Sequence, residues 1–271
     1  MVELLLDGLA FGESPRWHDG RLWFSNWGTG EVLAVDGDGK SELMASVPPE
    51  TLPFSIDWLP DGRLLIVAGS RLLLADGAEY ADLSDLADIC NEIVVDRRGY
   101  VFVNGGSLDF SKPGVVVVVT PAGEVRQVAD GIVFGNGMAV TEDGSTLIVA
   151  ESHGCRLSAF DIEPDGGLSN RRVWADLGQG QHPDGICLDA EGAVWYADVP
   201  NQHCVRVREG GEVLQTVALD RGAFACMLGG GDGRTLYILA AEWAGFENMF
   251  TPARTGQVLT AAAPAPHAGR P

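Results

Sequence analysis

Six times along this chain a tight turn, usually an Asp-Gly or Glu-Gly pair, runs directly into a short apolar strand. The six are Asp19-Gly20-Arg21-Leu22-Trp23-Phe24, Asp61-Gly62-Arg63-Leu64-Leu65-Ile66, Arg98-Gly99-Tyr100-Val101-Phe102, Asp143-Gly144-Ser145-Thr146-Leu147-Ile148, Glu191-Gly192-Ala193-Val194-Trp195 and Asp232-Gly233-Arg234-Thr235-Leu236-Tyr237. Their glycines are separated by 42, 37, 45, 48 and 41 residues. A unit of that length made of strands and turns cannot bury its apolar face alone. Repeated radially around an axis it forms a β-propeller with one sheet per blade. The chain is therefore expected to be all-β, a six-bladed β-propeller with four-stranded blades. In such a fold the innermost strands begin at one end of a central channel, and chemistry is sought there.

Six blades of roughly 45 residues account for nearly all of the 271 residues, so residues 1–271 read as a single propeller domain. Glu3 to Leu6 and Gln257 to Ala261 are the terminal strands. By sharing one blade they would close the ring and remove open sheet edges. Residues 262–271 are small and proline-rich, which suits either a strap over the surface or a disordered tail. Asp82 to Asp88 is long enough for one helical turn, and no longer amphipathic helix is visible.

The formal net charge of −20 excludes nucleic acid as a partner, since phosphate binding needs a basic surface. Such acidity fits a self-repelling soluble surface or a mouth that attracts cations. No apolar run approaches a membrane span, Val115 to Val119 being a buried strand at most. Met1 to Asp7 has no basic segment and too short an apolar run for a secretory signal. The five cysteines are scattered, odd in number and without a Cys-x-x-Cys pair, which reads as free thiols in a cytoplasmic protein.

Aligning the repeats exposes a site. Seven or eight positions before the turn glycine stand Glu13, Ser55, Asn91, Asn136 and Asp184, with Phe224 in the sixth blade, where the spacing is longer. Four of these six bear a carboxylate or an amide. Converging on one axis, they would be costly without a counter-charge. A divalent cation with hard oxygen ligands answers that cost. Taken singly, Gly135-Asn136-Gly137 and Pro183-Asp184-Gly185 are turn signals, and Glu13 reads as a loop residue. Their common register makes them one site. His182, two residues before Asp184, faces either the channel mouth or solvent. Asp161-Ile162-Glu163-Pro164-Asp165-Gly166 starts like a calcium loop, but its twelfth position is Arg172 rather than Glu. No Gly-x-Ser-x-Gly elbow, Walker loop or His-Glu-x-x-His is present.

Gly12-Glu13-Ser14-Pro15-Arg16-Trp17 resembles the Gly-Glu-Gly-Pro-x-Trp opening of the SMP-30/gluconolactonase/regucalcin-like family. Phe134-Gly135-Asn136-Gly137-Met138-Ala139 and His182-Pro183-Asp184-Gly185 resemble its Pro-Asn-Gly and Pro-Asp-Gly segments, in the same order. The resemblance implies one divalent metal held by Glu13, Asn136 and Asp184, with Asp184 also the catalytic base. Calcium comes first, and zinc, manganese or magnesium would also suit the oxygen donors. Asn91 and His182 are the expected substrate-binding residues, Asn91 being equally placed as a ligand.

Sugar-lactonase members carry Arg-x-Asn-Asp in the third blade, where this chain has Ile89-Cys90-Asn91-Glu92. Isoleucine in place of arginine would leave polyol hydroxyls unpaired, at about 1–3 kcal/mol for each such group. The expected function is thus metal-dependent hydrolysis of a lactone that is not a highly polar sugar lactone. Two alternatives stay open: a non-catalytic metal- or ligand-binding propeller, and a phosphotriester or aryl-ester hydrolase using the same site. The expected partner is a small-molecule substrate, and oligomeric state is left open.

Overall fold

The computed structural model describes residues 1–48, 51–109, 112–245 and 254–271. All six turn glycines (20, 62, 99, 144, 192 and 233) have positive φ, between 71° and 88°, the left-handed region that costs glycine nothing. The acid before them is equally local in its work. Asp61 Oδ1 accepts the Arg63 amide at 3.1 Å, Asp143 Oδ1 the Ser145 amide at 3.0 Å and Asp232 Oδ1 the Arg234 amide at 3.0 Å. These side chains copy a backbone turn, so each Asp-Gly pair reverses the chain between strands.

The strands so connected form six antiparallel sheets. Their innermost strands are Gly12–His18, Phe54–Trp58, Ile89–Val95, Gly135–Val140, Pro183–Asp189 and Gly222–Gly229, in blades 1 to 6. Each packs on the next, and the sixth returns to the first. The all-β, six-bladed propeller expected from the repeat is what forms. Ring closure also follows expectation: Glu3–Leu9 pairs with Gly256–Ala262 in blade 6, with Glu3 opposite Thr260. Between Leu83 and Ala87 the chain makes one turn, closed by the Ala87 amide on the Leu83 carbonyl at 3.0 Å.

Alternating side chains from neighbouring sheets interlock between the blades. Leu65, Val67 and Leu72 of blade 2 meet Ile93, Val95 and Val103 of blade 3 in one buried cluster. Each such side chain contributes about 1.5–3 kcal/mol on burial. Val116 to Val119 are buried on both faces of their strand, as a run without alternation requires. All five cysteines are buried and free. Among the described residues no helix is long and apolar enough to cross a membrane.

The tail is a strap. Ala263 and His267 donate to the Arg234 and Gly233 carbonyls of blade 6, and Pro266 accepts from Ala190 of blade 5. His267–Ala268 then adds a fifth strand to the inner edge of blade 5, opposite Leu188 and Asp189. Arg270 exchanges two backbone hydrogen bonds with Val140 of blade 4, at 2.7 and 2.8 Å.

Blade 4 has its own polar anchor. The buried Glu151 carboxylate accepts from Arg156, Arg171, Ser158 and the Val133 amide. Burial alone would raise its pKa, but these donors together hold it below the usual 4.5. Its stabilisation is therefore full above the unfolded-state value and is lost as pH falls through the lower folded value. Glu151→Gln should cost about 2–4 kcal/mol near pH 7. Denaturant unfolding of both proteins should show that gap closing below pH 4.5.

Candidate functional site at the channel mouth

A regular strand would alternate its side chains between two faces. Five of the six inner strands break that alternation at the positions singled out by the repeat. The pairing shifts register between Glu13 and Arg16, Cys90 and Ile93, Gly135 and Met138, Pro183 and Ile186, and Ala223 and Ala225. A bulge of this kind bends the strand and re-aims its side chains. Glu13, Asn91, Asn136, Asp184 and Phe224 accordingly line one cavity of about 490 Å³ at the channel mouth. Blade 2 has no such shift, and its Ser55 is buried outside the cavity lining.

A second tier lies two residues earlier in the chain, four of its five members falling just before their inner strands begin. Phe11, Pro53, Ile89, Phe134 and His182 all line the cavity, each two positions before the aligned residue of its blade. His182, expected at the mouth or in solvent, is at the mouth. Its backbone amide donates to Asp198 Oδ2 at 2.8 Å, and its Nδ1 meets the Ser152 carbonyl at 3.1 Å. Since a carbonyl only accepts, Nδ1 carries a proton, and in the neutral ring Nε2 is then the acceptor.

The floor is knitted together by amides. Asn91 Nδ2 donates to the Gly135 carbonyl at 3.3 Å and to Asn136 Oδ1 at 3.4 Å. Asn104 donates to the Asn136 carbonyl, and Ser152 Oγ to the Pro183 carbonyl at 2.7 Å. Below this layer is a buried charge network. Arg16 Nη2 binds Glu92 Oε1 at 2.9 Å and the Ile93 carbonyl at 2.6 Å, while Ser14 Oγ donates to the same Glu92 oxygen at 3.1 Å. Ser14 also gives its amide to Glu13 Oε2 at 3.1 Å, which ties the network to the floor.

These groups do not balance among themselves. Burial, and then the charge of Glu92, raise the Glu13 pKa to about 8 against the opposing pull of the Ser14 amide and Arg16. Burial likewise raises Asp184, followed by the charges of Glu13, Glu92 and Asp198, with the Asn136 amide acting the other way. Asp184 Oδ1 is buried with no hydrogen-bond partner. Among the described residues no three His, Cys, Asp or Glu side chains gather as a metal-binding group. The donor set at the floor is instead two carboxylates with amides, oxygen donors that suit a hard cation. The carboxyl groups of Glu13, Glu92, Asp184 and Asp198 act on one another here with Arg16 as the cation beside them, an acidic excess that a bound cation would offset.

Glycines admit the close approach of the strands that carry these donors. A Cβ on Gly137 would lie 2.5 Å from the Ile186 amide nitrogen, and one on Gly185 2.4 Å from the Ala225 Cβ. The Asn-Gly and Asp-Gly pairs that read as turns are thus contact points between neighbouring inner strands. Sequence reasoning missed Ser152, Asn104 and the Ser14–Glu92–Arg16 network, because their partners lie in other blades. The one signal available was Phe11-Gly12-Glu13 repeated as Phe134-Gly135-Asn136.

A six-bladed propeller with oxygen donors at the mouth of its channel is the class of protein that this geometry defines. Residues 11–242 match the family model described as SMP-30/Gluconolactonase/LRE-like region, and the chain belongs to that family. It is 32% identical to regucalcin of Xenopus laevis over 252 residues, covering 85% of this chain and 83% of that one. Among solved structures it is similar to a luciferin-regenerating enzyme, with TM-score 0.85 and 19% identity over 99% of this chain and 98% of the other. It is also similar to a calcium-binding protein, regucalcin, from Agrobacterium tumefaciens, with TM-score 0.77 and 20% identity over 97% and 92% of the two chains.

Gly185→Ala should lower stability by about 1–3 kcal/mol through overpacking of blades 5 and 6. Urea unfolding measures this, and an unchanged midpoint would contradict the close approach described.

Proposed function

We propose that this chain is a metal-dependent hydrolase that opens a lactone with a predominantly apolar body. The observation that carries this reading is the partnerless Asp184 Oδ1 beside Glu13 and Asn136 on the floor of a cavity with apolar walls. Membership of a family whose description includes gluconolactonase supports the reaction class. The calcium-binding relative supports a divalent ion.

Glu13, Asn136 and Asp184 would hold the cation. When bound, it supplies Lewis-acid polarisation of the carbonyl and lowers the pKa of water. The remaining work falls to the chain. Asp184 Oδ1, with no donor of its own, takes a proton from the attacking water. The water oxygen bonds to the carbonyl carbon, the ring C–O bond breaks, and the proton passes to the departing alkoxide. The product is a hydroxy acid. Asn91, held by the Gly135 carbonyl and Asn136, orients the ester group. His182 presents Nε2 as an acceptor to the substrate. Phe11, Ile89, Phe134 and Phe224 offer nothing to pair with a polyol, while Ser107, Lys112 and His153 are polar members of the same lining.

A lactone panel, from gluconolactone to unsubstituted and aromatic rings, is the test, run after chelation and after restoring each divalent metal. Activity should disappear with chelator, return with one metal, and favour the less polar rings. Asp184→Ala should reduce kcat by roughly 10³-fold or more. Unimpaired turnover in that variant would defeat the assignment. Glu13→Gln should weaken metal binding roughly tenfold or more by titration calorimetry. Stoichiometric metal binding without turnover of any ester would instead favour a binding protein, and preference for phosphotriesters would move the reaction to phosphorus.

A further inference from the structure

Phe134 stands where a glycine would be expected. Its φ is +56°, in the left-handed region, and it is the bulkiest of the non-glycine residues found there, the others being Ser14, Asp19, Cys155, Asn170 and Gln202. A residue held in this conformation stores strain, and such strain collects at functional sites. The surroundings hold it in place: the Phe134 carbonyl accepts the Ser152 amide at 3.0 Å. The ring stacks on the His153 imidazole, with centroids 4.2 Å apart and planes inclined at 25°. Burial, and then the neighbouring His182, lower the His153 pKa, so near neutral pH this stack is an uncharged flat wall.

Blade 4 lies opposite blade 1 in a ring of six, and Phe11 occupies the same register in blade 1 that Phe134 occupies in blade 4. Phe11 is fixed in turn by an aromatic series. It meets Phe224 edge-on at 4.4 Å and stacks with Trp27 at 5.5 Å, and Phe224 meets Trp243 at 5.7 Å. Both phenylalanines line the cavity above the carboxylate and amide floor. Aromatic side chains contributed to one cavity by opposite blades suit a planar ring, whose faces they can cover.

We infer that Phe134 is a specificity-determining residue, and that with Phe11 it selects lactones fused to a planar aromatic ring. This rests on the lactone-hydrolase reading for its substrate, while the walls themselves do not depend on turnover.

The probes are 3,4-dihydrocoumarin, a six-membered lactone fused to benzene, δ-valerolactone, the same lactone ring without the benzene, and 3,4-dihydro-2-quinolinone, the lactam that mimics the first. In Phe134→Gly the ratio of kcat/KM for dihydrocoumarin over valerolactone should fall roughly tenfold or more, mainly through KM. Thermal stability should not fall with it, since glycine relieves the backbone strain. Phe134→Leu, which retains the strain and removes the ring, should show the same fall in ratio. By calorimetry the lactam should bind the wild type roughly tenfold more tightly than either variant. Equal losses on both lactones, or an unchanged ratio, overturn the inference and leave the hydrolase reading standing. Turnover of neither lactone, with lactam binding still dependent on Phe134, overturns the hydrolase reading and leaves the aromatic slot standing. Lactam affinity indifferent to both substitutions overturns the slot.

Discussion

Closing six sheets into a ring brings the beginnings of six inner strands onto one axis, and the electrostatics of this protein follow from what meets there. Glu13, Asp184 and Glu92 are buried in mutual repulsion, with Arg16 as the cation beside them. Removing several like charges from water is expensive. The chain tolerates it by supplying donors one layer down, from Ser14, Arg16 and the strand amides, and by leaving one carboxylate oxygen without a donor. The cost is concentrated at the position where a cation or a polarised substrate can relieve it.

Two kinds of local structure make this arrangement possible. Bulges aim the side chains inward, and glycines after Asn136 and Asp184 let the strands that bear them touch. Neither device adds to stability. Unpaired strand positions and missing side chains both weaken a sheet. Stability is supplied farther out, where branched side chains interlock between blades and Glu151 binds two arginines. The outer sheets hold the inner strands in a geometry that those strands would not choose alone.

What could be read from the chain was whatever depends on neighbours in sequence. Each Asp-Gly turn is complete within a few residues, so its spacing gave away blade number and blade length. The inward register of Glu13, Asn91, Asn136 and Asp184 was legible for the same reason, counted from those turns. Ser55 shows the limit of counting: it has the right position but lies in the one inner strand with no register shift. Glu92 shows another. As a letter it is a substitution within a familiar segment, while in space it is the acceptor that fixes Arg16 and Ser14 from blade 1. Phe11 and Phe134 are 123 positions apart in sequence, and only the closed ring brings them to one cavity.

The strap bears on how the strands of the site are held. His267–Ala268 occupies the channel-facing edge of the strand that carries Asp184, and Arg270 is bonded to the last residue of the strand that carries Asn136. The charge of Arg270 reaches Asp57, in blade 2. At the end of the axis away from the mouth, the last residues of the chain thus lie against the inner strands of blades 4 and 5, so the two strands that present Asn136 and Asp184 at one end are held at the other by the terminus of the same chain.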